Sequence, residues 1–146
     1  WFKFVLVALL FTSNLALAQE AEPVTVKIEI NGLKEISGDL YLAVYDSKDS
    51  WLGEDVVLSR KIVIDDARCD DLVVTEFEVG EGNYAFTIFY DENGNGDLDT
   101  NFIGMPKEPI AMSNNAVAKF GPPKYSDAVF TLGAEPIIQS LSMRNP

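Results

Sequence analysis

The chain has 146 residues, with 23 Asp and Glu against 11 Lys and Arg, a formal net charge of −12 and no histidine. Such a surface repels nucleic acid and anionic head groups, and the missing histidine removes the commonest general base and the commonest zinc ligand. Cys69 is the single cysteine, so no intramolecular disulfide can form; a partly buried thiol is expected there.

The apolar run Phe4–Phe11, with Lys3 before it and Ala16-Leu17-Ala18 after it, has the pattern of a cleavable secretory signal peptide over residues 1–18. It is too short for a membrane span, and no later apolar run approaches the roughly 20 residues a span needs. The expected location is periplasmic or extracellular. Without the signal and its Lys3, residues 19–146 keep ten basic against 23 acidic residues, a net charge of −13. These 128 residues suit one domain, able to bury roughly two-thirds of its unfolded surface.

Val24-Thr25-Val26-Lys27-Ile28-Glu29-Ile30 alternates strictly, as a strand with one solvated face does. Asn31-Gly32 and Ser37-Gly38-Asp39 mark turns. Leu40 to Asp46 is nearly all apolar and reads as a central strand. From Ser47 to Ser59 the composition predicts a loop with one helical turn, in which Trp51 plugs the end of the core. Arg60 to Ile64 is a short strand, and Asp65 to Asp71 a solvated acidic connection. Val73 to Val79 alternates again, and Gly80-Glu81-Gly82-Asn83 turns it into the apolar strand Tyr84–Tyr90. Asp91 to Tyr125 reads as one long ordered loop, which in a compact domain requires an explanation. Strands are expected over Asp127–Leu132 and Ile137–Met143. About seven strands with this alternation favour an all-β, antiparallel β-sandwich over a closed barrel.

The long excursion opens with oxygen-bearing side chains at alternate positions: Asp91, Asn93, Asn95, Asp97 and Asp99, with Gly94 and Gly96 between them. Hard cations take carboxylate, amide and carbonyl oxygens on a tightly bending backbone, so the spacing points to calcium. Asp97 would offer its backbone carbonyl. Position twelve is Phe102 instead of Glu, and a strand precedes the loop, so this is not an EF-hand. Glu108 is the candidate for the missing carboxylate, with Gly104 and Pro106 turning the chain back. The expected metal set is therefore Asp91, Asn93, Asn95, Asp97, Asp99 and Glu108, holding Ca2+. A solvated Asx-rich turn is the alternative.

Tyr90-Asp91-Glu92-Asn93-Gly94-Asn95-Gly96-Asp97, followed by Gly104-Met105-Pro106-Lys107-Glu108, Ser113-Asn114-Asn115 and Phe120-Gly121-Pro122-Pro123, resembles the bacterial family of exported proteins called DUF2141. The resemblance spans essentially the whole chain after the signal. It implies export and a sandwich of transthyretin-like or immunoglobulin-like kind, and it implies no particular activity. One departure is Tyr90, where members often have His. The Ser113–Asn115 and Phe120–Tyr125 cluster either rims a sugar or peptide site or pins the loop, and pinning is the better reading. The chain is thus expected to be a non-catalytic binding module for an unknown small ligand, peptide or glycan. The alternatives are a carboxylate-based glycan hydrolase and an assembly protein that pairs through a sheet edge.

Overall fold

The computed structural model describes residues 20–35 and 37–146; the expected signal segment lies outside them. The strands are β1 (Val24–Asn31), β2 (Asp39–Tyr45), β3 (Leu58–Val63), β4 (Arg68–Cys69), β5 (Leu72–Val79), β6 (Gly82–Asp91), β7 (Ile110–Met112), β8 (Phe130–Leu132) and β9 (Ile137–Ser142). Two four-residue helical turns, α1 (Ile64–Ala67) and α2 (Tyr125–Ala128), and one 3-10 turn at Ser113–Asn115 complete the elements. One sheet has the order β4-β5-β1-β9. The other has the order β3-β2-β6-β7, with β8 paired to the first residues of β6. The fold is an all-β sandwich.

The alternation read from the sequence becomes the core. Val26, Ile28 and Ile30 of β1 are fully buried, and so are Leu40 and Val44 of β2. Phe77 of β5 and Phe86 of β6 meet edge-to-face at 6.0 Å, and Phe130 of β8 meets Phe86 at 5.9 Å. Such contacts add to the area term in joining the two sheets. Thr25, Lys27 and Glu29 are partly exposed on the other face of β1.

Several expectations are corrected. β9 runs parallel to β1, with Val26 opposite Ile137, so the pairing is not wholly antiparallel. The strands exceed seven because β4 and β7 are too short to carry a period. The Asp91–Tyr125 excursion is two loops, since Ile110–Met112 pairs with Thr87–Phe89 between them. Ile64 and Asp127 lie in helical turns instead of strands. Cys69 is exposed at the end of its short strand, not partly buried. Trp51 does not plug the core. It is half-buried and not part of the core cluster, edge-on to Tyr45 at 5.2 Å and to Tyr125 at 5.9 Å, and its indole N–H donates to the Pro123 carbonyl at 2.8 Å. Among the described residues no helix is long and apolar enough to cross a membrane.

Candidate functional site

The acidic loop is built around two buried carboxylates. Asp91, the last residue of β6, is 5% exposed and Glu108 is 3% exposed. Asp91 Oδ1 accepts the N–H groups of Gly94 (2.9 Å) and Asn95 (3.2 Å), and Oδ2 accepts that of Gly96 (2.8 Å). The chain thereby wraps around its own side chain, which requires the left-handed backbone of Gly94 (φ 73°) and Gly96 (φ 82°). Glu108 closes the loop from the other end: Oε1 accepts the N–H of Glu92 at 2.9 Å and Oε2 that of Asp99 at 3.0 Å. Further on, the N–H of Lys107 donates to the Asp99 carbonyl, and Thr100 bridges to Pro106. Gly104 turns this arm back as expected, with φ 82°.

The structure links Asn93 and Asn95 to the Asp99 side chain and Glu108 to the Asp99 backbone, while Asp91 holds the neighbouring turn. The amides of Asn93 and Asn95 both donate to the Asp99 carboxylate, the latter at 3.2 Å to each oxygen. Their own oxygens accept the N–H groups of Asn95 and Asp97 in successive Asx turns. The Asp97 side chain is exposed; its backbone N–H is held by Asn95. Glu92 and Lys107, which the spacing does not single out, line an open cleft of about 340 Å³ with Asn93, Asp99 and Glu108. Among the described residues no three acidic or sulfur-bearing side chains form a ready metal cluster. Among the described residues the direct ion pairs are Lys27–Glu29 and Lys61–Asp39, so neither buried carboxylate is in one, although Lys107 shares the cleft with Glu108 and Lys61 lies within electrostatic reach of Asp91. Both are satisfied by neutral backbone donors alone.

Beside this loop lies a feature that the spacing does not announce. In a two-layer sandwich the outer face of an antiparallel sheet is ordinarily polar. Here it is largely apolar across β2, β6 and β7, with Lys61 and Ser59 of β3 at its edge. The register sets Lys61, Tyr41, Phe89 and Ile110 in one row across β3, β2, β6 and β7. Ser59, Ala43, Thr87 and Met112 form the next row. Tyr41 and Phe89 stack at 5.2 Å, with their planes 13° apart. The small Ala43 and Thr87 beside them leave a depression. Leu98, Ile103, Met105 and Pro106 of the acidic loop wall it on one side, and Gly121, Pro122 and Pro123 on another. The enclosed space is about 740 Å³, within the range of pockets that hold small ligands. The two loops carry Phe102 and Phe120 fully exposed.

Both walls are fastened to the fold. Glu108 and Asp91 hold the first. The second is tied by Trp51 to Pro123 and by the Ser113–Asn115 turn. Ser113, fully buried, donates to the Ala128 carbonyl at 2.6 Å and accepts the Phe86 N–H at 3.0 Å. Asn114 donates to the Val129 carbonyl, and Asn115 accepts the Ser142 N–H. These residues pin the loop, as the sequence favoured. Tyr90, at the departure from the family pattern, is buried in the core and donates its hydroxyl to the Ser37 carbonyl at 3.0 Å. Burial first, then the nearby Glu35 and Glu92 charges, raises its pKa above 10.0.

The chain matches the family described as "Uncharacterized protein conserved in bacteria (DUF2141)" over residues 28–139. It belongs to that family. The DUF2141 match runs from β1 to β9 and takes in the acidic loop and the whole pocket. No curated protein and no solved structure matches the chain.

Proposed function

We infer that this DUF2141 chain is an exported, non-catalytic binding module whose ligand lies in the apolar pocket and whose pocket wall is fastened by calcium. The observation that carries the reading is the outer face of the β3-β2-β6-β7 sheet. Among the described residues no third layer covers its apolar floor, and two anchored loops leave a ligand-sized space above it. Apolar surface left open to water is unfavourable at about 25 cal/mol per Å², so the face is suited to a transient apolar cover.

The donor chemistry fits a hard cation. The cluster offers carboxylate and amide oxygens and no nitrogen or sulfur ligand. Of roughly four lone-pair positions on a carboxylate, Asp91 commits three to N–H groups and Glu108 two. Each retains capacity. Two buried carboxylates without a direct ion pair are costly, and a divalent ion would offset that cost. Glu108, Asp91 and Asp99 would hold it, with the oxygens of Asn93 and Asn95 and the Asp97 carbonyl. The ion would supply charge neutralisation and a fixed loop, and no reaction chemistry. For that, the Asn93 and Asn95 amides must release Asp99, which the ion replaces as its partner.

A neutral environment-sensitive dye tests the pocket. Saturable binding of one dye per chain, lost in Ala43→Phe, is expected. The absence of saturable binding, or its persistence in Ala43→Phe with an unchanged far-ultraviolet spectrum, refutes the pocket as the site. Thermal melts with calcium and with chelator test the ion; equal melting temperatures in both refute it.

A further inference from the structure

The charged residues that line the pocket are basic, in a chain that is acidic overall. Acidic residues outnumber basic ones 23 to 11. Yet Arg60 and Lys61 are the charged residues lining the pocket, and no Asp or Glu does. Arg60 turns away, its guanidinium donating to the Glu76 carbonyl on the other sheet. Lys61 stays on the outer face. It sits at the β3 end of the row that continues as Tyr41, Phe89 and Ile110. This row spans three strand spacings, about 14 Å at about 4.8 Å each. A cation therefore stands at one end of a straight apolar track, and the loop residues Met105 and Pro106 help to wall the pocket above it.

We propose that the pocket takes a single-chain amphiphile with a carboxylate head, a free fatty acid laid across the strands with its head at Lys61 and its chain over Tyr41, Phe89 and Ile110. The proposal rests on the pocket being the binding site and adds the class of ligand. Lys61 is free to serve. Its ammonium has three donors, and the structure shows one of them on Asp39, at 2.9 Å in an exposed pair that water already screens. A second carboxylate adds to that pair without displacing it. The acidic surface elsewhere repels an anion, but over distances beyond about 8 Å that repulsion is screened at physiological salt. No Asp or Glu lines the pocket; the carboxylates nearest the head are Asp39, paired with Lys61, and Asp91, opposite Asp39 in the adjoining row, and their repulsion keeps the expected preference for an anion small. A neutral ligand would leave the Lys61 end of the track unused, and a cationic one would meet it with like charge.

The test is calorimetric titration of the purified protein with octanoate, decanoate and dodecanoate below their aggregation concentrations, with dodecanol as the neutral match. One site is expected, tightening about fourfold per added methylene, or about fifteenfold per two-carbon step, until the track is filled. Dodecanoate should bind about two- to fivefold more tightly than dodecanol, and Lys61→Gln should erase that preference without changing the binding of dodecanol. Ile103→Asp, at a lip residue 68% exposed and so harmless to folding, should weaken dodecanoate about tenfold or more. Equal affinity for acid and alcohol, unmoved by Lys61→Gln, overturns the carboxylate proposal and leaves the pocket reading intact. If neither acid nor alcohol binds while the neutral dye still does, the amphiphile is overturned and the pocket stands. If the dye fails as well, both fall.

Discussion

Replacing Glu108 by Gln separates what the loop is from what it is proposed to hold. In the wild type, each Glu108 oxygen accepts one backbone N–H, from Glu92 at 2.9 Å and Asp99 at 3.0 Å. Glutamine keeps one acceptor and turns a second donor toward an N–H that is already a donor. One charge-assisted bond is lost at about 1.5–3 kcal/mol, and the surviving bond loses its charge. Relief of a buried charge that has no direct ion pair returns part of this. The net loss is about 2–3 kcal/mol. Water reaches little of the residue, which is 3% exposed. A folded unit of about 126 described residues has an unfolding entropy of about 0.27 kcal/mol/K, so 1 kcal/mol moves the melting temperature by about 4 °C. The variant should therefore melt about 8–12 °C lower in chelator, by circular dichroism.

Calcium supplies the second arm. At a hundredfold excess over its dissociation constant, an ion that binds the folded state alone adds about 2.7 kcal/mol, or about 10 °C here. The wild type should gain that shift, and Glu108→Gln should gain little of it. A drop of less than about 2 °C in chelator would falsify the hydrogen-bond argument itself. A variant that gains as much from calcium as the wild type retires Glu108 as a ligand.

Three other outcomes follow from the same geometry. Asp91→Ala removes three N–H acceptors and should cost about 3–4 kcal/mol, whereas Asp97→Ala, whose side chain is exposed and makes no described hydrogen bond, should stay within about 0.5 kcal/mol; equal effects from the two in denaturant melts would contradict this. Ser113→Ala strips the Phe86 N–H and the Ala128 carbonyl of their buried partner and should cost about 2 kcal/mol, while Ser113→Thr, if it fits, restores it. Burial raises the pKa of Tyr45, Tyr90 and Tyr125 above 10.0. The unfolded chain then gives up these protons first as the solution turns alkaline. The stability they contribute is whole below pH 10.0 and lost as pH rises through the folded values. Tyrosinate absorbance should appear together with unfolding, and ionisation near 10.0 in a protein that stays folded would contradict the shift.

The sandwich was legible because its signal is repetitive. Val26, Ile28 and Ile30 face one way over a whole strand, and so do Val73, Phe77 and Val79. The acidic loop was legible because its chemistry is local: Asp91, Gly94 and Gly96 lie within six residues, and an Asp side chain capping its own following turn needs no distant partner. Glu108, 17 residues on from Asp91, came from looking for a carboxylate behind a Gly and a Pro that could turn the chain, and the structure places it against the N–H of Glu92. What the spacing could not convey is direction. Asn93 and Asn95 fit a ligand pattern by position, yet their amides point at Asp99, whose charge draws the nearest donors.

The pocket was missed for a different reason. Periodicity reports one apolar face per strand, and β2 and β6 have two. Leu40 to Asp46 therefore reads as a central strand and Tyr84 to Tyr90 as an apolar one, with no signal that one face lies open. The remaining elements argue otherwise. A sandwich uses every long strand to cover the two inner faces, and among the described residues no long helix is left to lie over an outer one. A sheet face that is apolar but has no element to cover it must be covered by loops, by another molecule, or by both. The loops after β6 and β7 are rich in Gly and Pro, and they stand over Tyr41 and Phe89 without filling the space above Ala43 and Thr87. Counting the faces that need cover against the elements available to cover them would have located the site from the sequence alone.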